Sequence, residues 1–404
     1  MPQRRRTFHA TPGAVLQLVR DGVAESRAEL ARETGLARST VSQRVDTLIE
    51  IGLLREEGDG VSTGGRPPTV LTFVADGGVA LGADFGATHC HLAVADRNGA
   101  LLAHADHRLE ISEGPERCMA FAIDGLGKLL ARLGRPAADV EGIGVGLPGP
   151  VEFAAGQVVS PPIMPGWHNV PVAPFFEEQF PGVPVLVDND VNVMALGEYH
   201  RAGWRDEVDD LLFVKVGTGI GCGIIAGGVL HRGAHGAAGD LGHVQIAGSD
   251  TICHCGNRGC VEAVASGSAL AAQLRAEGID AADTADVVLL ARSGQPTVVP
   301  MVRTAGRQLG EVLAGAVNFF NPSVIVLGGG LDEAHEHLIA GVRETIYQRS
   351  TALATHQLRI VRSRLSLEAG VTGCAVMALD HLLSAEAIDA RIDESGRATR
   401  RSTR

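Results

Sequence analysis

The chain has 404 residues, 45% of them apolar and 20% charged, a size and mix that suit two or three cored units and exclude a disordered polyelectrolyte. It has no run of about eighteen uncharged apolar residues, and its basic start, residues 1–6, is followed by no apolar segment of signal-peptide length; this excludes a membrane-spanning protein and implies a cytoplasmic one. The net charge of -12 excludes a surface coated for nucleic acid, but residues 1–76 hold ten Arg against ten Asp or Glu, so the acid excess lies wholly in the remainder.

After a basic arm, Val15, Leu16, Leu18 and Val19 have the spacing of a first helix over residues 11–21, which Gly22 ends. Ser26-Arg27-Ala28-Glu29 is a capping box opening a second helix through Glu33, and Gly35 makes the next turn. Over residues 37–51, Val41, Val45, Leu48 and Ile49 share one helical face, while Arg38, Ser39, Ser42 and Gln43 occupy the other. Two short helices joined by a Gly turn, the second with an apolar back and an Arg/Ser/Gln front, predict a helix-turn-helix; such front residues read base edges and phosphates. Ala37 stands where a Ser or Thr cap would be expected. Residues 53–61 read as a wing strand and its turn, with Gly58-Asp59-Gly60 at the tip, giving a DNA-binding domain over 1–61. The Pro- and Gly-dense run STGGRPP, residues 62–68, places a domain linker over 62–76. Within it, Arg66 is held in an extended form that suits a DNA minor groove or a plain spacer.

From Val79 the pattern turns to β-structure. The runs VALGADFG, HCHLAVAD and ALLAHADHRL are three strands, with a hairpin turn at Asn98-Gly99; a helix over 115–133 and the strand VEGIGVGLPGPV follow. The order strand, Gly-rich turn, returning strand recurs at LLFVKVG, GTGIGCG and VLHRG, which predicts a duplicated, two-lobed α/β fold with a cleft between lobes. Asp84 ends the first strand, where it can hold Mg²⁺ or its waters, and Gly86 and Thr88 follow where a phosphate would lie. The loop beginning Gly217-Thr218-Gly219 offers backbone N–H groups from the other lobe, and Gly328-Gly329-Gly330 would admit a nucleoside. Asp188, Asn189, Asp190 and Asn192 end another strand; Asp190 could take a proton from a sugar hydroxyl and Asn189 could hold its neighbours, whereas helix capping would account for one of the four.

The segment GDLGHVQIAGSDTICHCGNRGCVEAVASG, residues 239–267, contains His243, Cys253, Cys255 and Cys260 in the spacing H-x9-C-x-C-x4-C. Four such ligands can close a tetrahedral structural Zn²⁺ site, while Cys90, Cys118, Cys222 and Cys374 are scattered singly. His254 is a competing ligand; His243, outside the tight cysteine loop, can approach from the other side.

In order, DFGATH, GLPGPV, SPPIMPGW, DNDVN, GTGIGCGI, GDLGH and CHCGNRGCVEAVASG cover most of the chain and resemble the ROK family of bacterial repressors and sugar kinases. The resemblance implies an amino-terminal winged helix-turn-helix followed by an actin-like, RNase H-like sugar kinase fold over 77–388; residues 389–404 read by their composition as a polar, disordered tail. It implies structural zinc on His243, Cys253, Cys255 and Cys260, and a sugar contacted by Asn189, Asp190, Asp240, His243 and Glu262. In kinase members Asp190 would be the base and Asp84, Gly86, Thr88, Gly217, Thr218 and Gly219 would meet Mg-ATP. Two positions depart from the family's kinases: Ala87 replaces the second Gly of DxGGT, adding a Cβ beside the phosphate, and Asp240 replaces a Glu, drawing the carboxylate back by about 1.5 Å. The expected function is a sugar-responsive transcriptional regulator, a repressor by its resemblance, that binds operator DNA as a homodimer or higher oligomer and answers to a sugar or sugar phosphate. The alternative is an ATP-dependent sugar kinase, or a protein that does both.

Overall fold

The computed structural model describes residues 11–59, 69–161 and 163–402. Helices α1 (Pro12–Arg20), α2 (Arg27–Thr34) and α3 (Arg38–Glu50) make the helix-turn-helix. The side chain of Thr11 accepts the Ala14 amide at 3.3 Å to start α1, and Ser26 accepts that of Glu29 at 3.3 Å to start α2. Gly35, at φ 71°, makes the left-handed turn out of α2. Ala37 gives α3 no side-chain cap. Arg27 steadies α3 instead, donating to the Ser42 carbonyl at 3.1 Å, Asp46 at 2.6 Å and Glu56 at 2.8 Å.

The wing differs from the sequence expectation. Strand β1 (Leu54–Asp59) pairs antiparallel with β2 (Thr69–Phe73), Leu54 opposite Phe73. The second wing strand therefore lies inside the segment assigned to the linker over 62–76, and STGGRPP joins two wing strands rather than two domains. Gly58 and Asp59 belong to β1. The reason is burial: TVLTF turns Leu71, 2% exposed, into the helix-turn-helix core. Residues 60–68, with Gly60 and Arg66, lie outside the described residues.

The first lobe contains β3 (Val79–Phe85), β4 (His89–Asp96), β5 (Leu101–Arg108), α4 (Pro115–Leu133), β6 (Val140–Leu147) and β7 (Val185–Asn189). Its sheet runs β5-β4-β3-β6-β7; the first three strands are antiparallel and the other pairings parallel. Helix α5 (Asp190–Arg201) leads to the second lobe, which contains β8 (Leu211–Val216), β9 (Ile220–Ala226), β10 (Val229–Leu230), α6 (Val298–Phe320), β11 (Val324–Gly328), α7 (His335–Arg349) and β12 (Arg359–Arg362). There the order is β10-β9-β8-β11-β12, with the same antiparallel and parallel pattern. The two-lobed repeat expected from sequence is thus present in the strand order itself.

Helix α8 (Glu368–Leu382) packs on α5 with the two backbones touching. A Cβ on Gly373 would lie 1.6 Å from the Val193 carbonyl oxygen, and one on Gly197 2.1 Å from that of Ala369. Helix α9 (Ala385–Ser402) follows, so residues 389–404 are not the disordered tail their polar composition implied. Ile388, fully buried, and Ile392, four residues on, turn one face of α9 into the helix-turn-helix core, and Asp389 accepts the Gly13 amide at 2.8 Å. Arg97, 4% exposed, bolts the DNA-binding unit to the first lobe: it donates to both Glu141 oxygens at 2.7 and 2.6 Å and to the Gly52 carbonyl at 2.9 Å. Among the described residues no single helix is long and apolar enough to cross a membrane.

Candidate functional site

The cleft is organised by the strand end at β7 and the start of α5. Asn189 caps α5, accepting the amides of Val191 at 2.9 Å and Asn192 at 3.4 Å, while its Nδ2 donates to the Gly149 carbonyl at 3.0 Å. One amide hydrogen of Asn189 is left for a ligand. Asp188 is committed to structure: it is buried and accepts from Asn192 at 2.8 Å, its neighbour's amide at 2.7 Å and Arg232 Nε at 2.7 Å. Arg232 comes from the other lobe and also lies 3.9 Å over the Phe153 ring. Capping and an ion pair across the cleft thus account for two of the four polar residues; Asp190 is the one whose carboxylate meets a cation inside the cleft.

That cation is Lys215, on β8. Its ammonium donates to Asp190 Oδ2, with the Lys215 side chain 18% and the Asp190 side chain 7% exposed. Burial works to lower the Lys215 pKa, but the charge and hydrogen bond of Asp190, helped by Asp84 and Glu262, raise it above its ordinary value. Asp84 is buried with its Oδ1 unpartnered, and a Cβ on Gly370 of α8 would lie 1.9 Å from its Oδ2. Burial, and then the charge of Asp190, push Asp84 up to about 6.

In the first predicted phosphate loop Gly86 is covered by a side chain, while Thr88 is exposed. The imidazole of His89 lies on Gly86, where a Cβ would fall 2.0 Å from its Cε1. Burial and the nearby charge of Lys215 push His89 down to about 3, so the ring is neutral. In the second loop, Gly217 N–H bonds the Gly219 carbonyl at 2.9 Å and Ile220 N–H bonds Glu262 Oε2 at 2.8 Å. Ser268 donates to the Thr218 carbonyl at 2.6 Å.

Across the cleft, His243, Cys253, Cys255 and Cys260 bring one ligand atom each to within 4.8 Å of one another. Cys253 Sγ is 3.6 Å from His243 Nδ1, and Cys255 Sγ is 3.7 Å from Cys260 Sγ. His254 is exposed and outside the cluster. Three thiols and an imidazole without a carboxylate are a donor set that suits Zn²⁺. His243 Nε2 faces away from the thiols, 3.9 Å from Asp240 Oδ1, and Gly242 between these two residues packs against Glu262. The second lobe therefore carries Asp240, His243 and Glu262 close together as one wall and the first lobe ends in Asn189 and Asp190 as the other, the two joined by the Lys215–Asp190 ion pair.

On α3, Arg38, Ser39 and Gln43 are exposed and Ser42 is half-buried, while Val41, Val45 and Leu48 are buried, so the expected front and back of the helix are present. Sequence reading missed Lys215, His89 and Arg232. A signal for the first was there: Lys215 is one of two lysines in a chain that otherwise uses Arg, and a compact ammonium fits where a planar guanidinium would not.

The fold and cleft define a sugar-kinase-like class, and the comparisons agree. The ROK family pattern matches residues 80–381 and an IclR helix-turn-helix domain matches residues 13–58; the chain belongs to the ROK family. It is 32% identical over 383 residues to the xylose repressor of Caldicellulosiruptor bescii, covering 92% of this chain and 95% of that protein. It is 28% identical to the transcriptional dual regulator NagC of Escherichia coli, covering 90% and 91%. Among solved structures, a ROK family transcriptional regulator described as a homologue of the E. coli MLC protein superposes with a TM-score of 0.80 at 26% identity, over 95% of this chain and 98% of that one. A ROK glucokinase from Streptomyces griseus, in complex with glucose and AMPPNP, superposes with a TM-score of 0.62 at 29% identity, over 74% and 99%.

Proposed function

We propose that this protein is a sugar-responsive transcriptional repressor. Its helix-turn-helix binds operator DNA, with Arg38, Ser39, Ser42 and Gln43 in the major groove, and Asn189, Asp190, Asp240, His243 and Glu262 contact a sugar. Zinc on His243, Cys253, Cys255 and Cys260 holds the wall that carries Asp240 and Glu262; with Nδ1 on the metal, His243 Nε2–H is free to donate to a sugar hydroxyl. One short recognition helix reads few bases, so a homodimer spanning two half-sites is the acting unit.

The observation that carries this reading is the connection between cleft and DNA head. Asp84 lies against Gly370 of α8, α8 packs on the helix that starts at Asp190, and α8 leads into α9, whose Ala385 carbonyl would be 2.2 Å from a Cβ on Gly13 of α1. A shift of α5 on sugar binding thus has a packed path to the helix-turn-helix, in addition to the covalent connection after β2. For allostery the sugar must bind two arrangements with different affinity.

The test is a titration of DNA from the protein's own upstream region, with and without xylose, glucose and N-acetylglucosamine. A shift of about tenfold, roughly 1.4 kcal/mol of coupling, is expected with one sugar. DNA binding that no sugar moves would sink the sensor reading. Arg38→Ala or Gln43→Ala should lose about 1 to 3 kcal/mol of operator discrimination; unchanged discrimination would mean that another face reads the DNA.

A further inference from the structure

The cleft of a ROK kinase fold must hold a nucleotide and its metal beside the sugar, and three observations here oppose that. Lys215 places an ammonium on Asp190, in the gap that also faces Asp84 and Glu262. His89 fills the space over Gly86 in the first phosphate loop, and the charge of Lys215 reaches it. In the second loop, the Gly217 and Ile220 amides are already bonded to protein oxygens. A Mg²⁺ ion uses one or two carboxylates together with phosphate oxygens and waters. Here one of the two carboxylates nearest that role, Asp190, holds a buried ammonium that cannot diffuse away, and the same charge acts through space on Asp84, whose Oδ1 has no hydrogen-bond partner. The donor set does not fit Mg-ATP.

We infer that Lys215 is the resident cation of the cleft: it stands in for the metal, so that the protein binds a neutral, unphosphorylated sugar without nucleotide and transfers no phosphate. The sugar half of this statement rests on the reading of the cleft given above. Neutrality follows from the charges. The two cations that reach cleft carboxylates, Lys215 and Arg232, are each paired, with Asp190 and Asp188, while Asp240 and Glu262 add negative charge on the facing wall. A sugar phosphate would find carboxylates there and would have to break one of these pairs. A neutral polyol can accept from His243 and donate to Asp240 and Glu262 with the pairs intact. A lysine suits the position because its ammonium is a compact point charge, close in function to a small ion.

The experiment uses zinc-loaded full-length protein and calorimetry. Wild type should bind one of xylose, glucose or N-acetylglucosamine with an affinity that Mg-AMPPNP alters by less than about twofold, and should bind glucose 6-phosphate at least about tenfold more weakly than that sugar. Any Mn²⁺ binding in its cleft should be at least about tenfold weaker than in Lys215→Met, whose gain adding Asp84→Asn removes. Wild type that binds Mn²⁺ as tightly as Lys215→Met, or a sugar that tightens about tenfold with Mg-AMPPNP, would overturn the inference. If Lys215→Met does not fold, as judged by its zinc content and thermal transition, the wild-type titrations decide alone. If none of the sugars binds even without nucleotide, the sugar-cleft reading fails while the Mn²⁺ comparison still tests Lys215.

Discussion

The two walls of the cleft differ in how much of their polar chemistry is already used. On the knuckle side, Asp240 is 60% exposed, His243 Nε2 points away from the thiols and Glu262 keeps one carboxylate oxygen beyond its bond to Ile220. On the phosphate-loop side, Asp190 is paired with Lys215, His89 covers Gly86 and the Gly217 and Ile220 amides are bonded to protein oxygens. Both sides keep the glycine-rich backbone of a nucleotide-dependent fold. The difference teaches that glycines report where a chain turns, whereas the side chains that converge on the turn decide whether a ligand has room.

The largest effect should come from the knuckle wall. Cys255→Ser removes one of four donor atoms that lie within 4.8 Å of one another, and on the proposed zinc reading the affinity for zinc should fall by more than about 100-fold, beyond the loss that outer-sphere changes cause. Elemental analysis should find zinc well below one per chain, and the sugar response should vanish with it. Full occupancy with an intact response would mean that the wall stands without the metal, and the contrast between walls would lose its cause.

At the boundary between the walls, Asp190→Asn leaves the Lys215 ammonium buried without its counter-charge. Breaking one side of a buried pair costs about 3 to 5 kcal/mol, to be read by chemical denaturation. Adding Lys215→Met should return most of that loss. A cost below about 1 kcal/mol would place the pair in water, like an exposed ion pair, and would weaken the claim that this side is filled.

Much of this was legible in the sequence, for reasons that differ between elements. The recognition helix could be read because Val41, Val45 and Leu48 recur at helical spacing and all are buried. The knuckle could be read because metal ligands cluster in sequence when one loop supplies them. The second wing strand could not, because the five residues of TVLTF follow a Pro- and Gly-rich run that looks like a linker. Helix α9 was hidden by its polar majority; Ile388 and Ile392 are the apolar marks, among the described residues, of the face turned to the helix-turn-helix core. Lys215 and Asp190 stand 25 residues apart on different elements, and only folding brings them together.

The phosphate-loop wall should also show itself in the pH dependence of stability. Burial carries Asp84 from 3.8 to about 6, so its ionisation opposes folding: the penalty is absent below about pH 4, grows between 4 and 6, and is complete above 6 at roughly 3 kcal/mol. Asp84→Asn should therefore be more stable than wild type by that order at pH 8, with the advantage fading to nothing near pH 4. His89 acts in the opposite direction, since a ring pushed down from 6.5 to about 3 penalises the folded state only as pH falls below 6.5. An Asp84→Asn advantage that persisted unchanged at pH 4 would mean that packing against Gly370, and not charge, sets it.

The smallest effect is the sharpest test of the comparison. Thr88 closes the first phosphate loop with its side chain exposed, and its carbonyl, which accepts the Leu109 amide at 3.1 Å, is untouched by substitution. In a cleft that bound nucleotide, the hydroxyl would meet phosphate, and its loss would weaken any nucleotide-dependent response. With Lys215 on Asp190 and His89 over Gly86, Thr88→Ala should change stability by less than about 0.5 kcal/mol and leave sugar affinity and the DNA response as in wild type. A Thr88→Ala protein with a normal thermal transition but a weakened sugar response would return the phosphate loop to a working role. The two walls would then be parts of one ligand site after all.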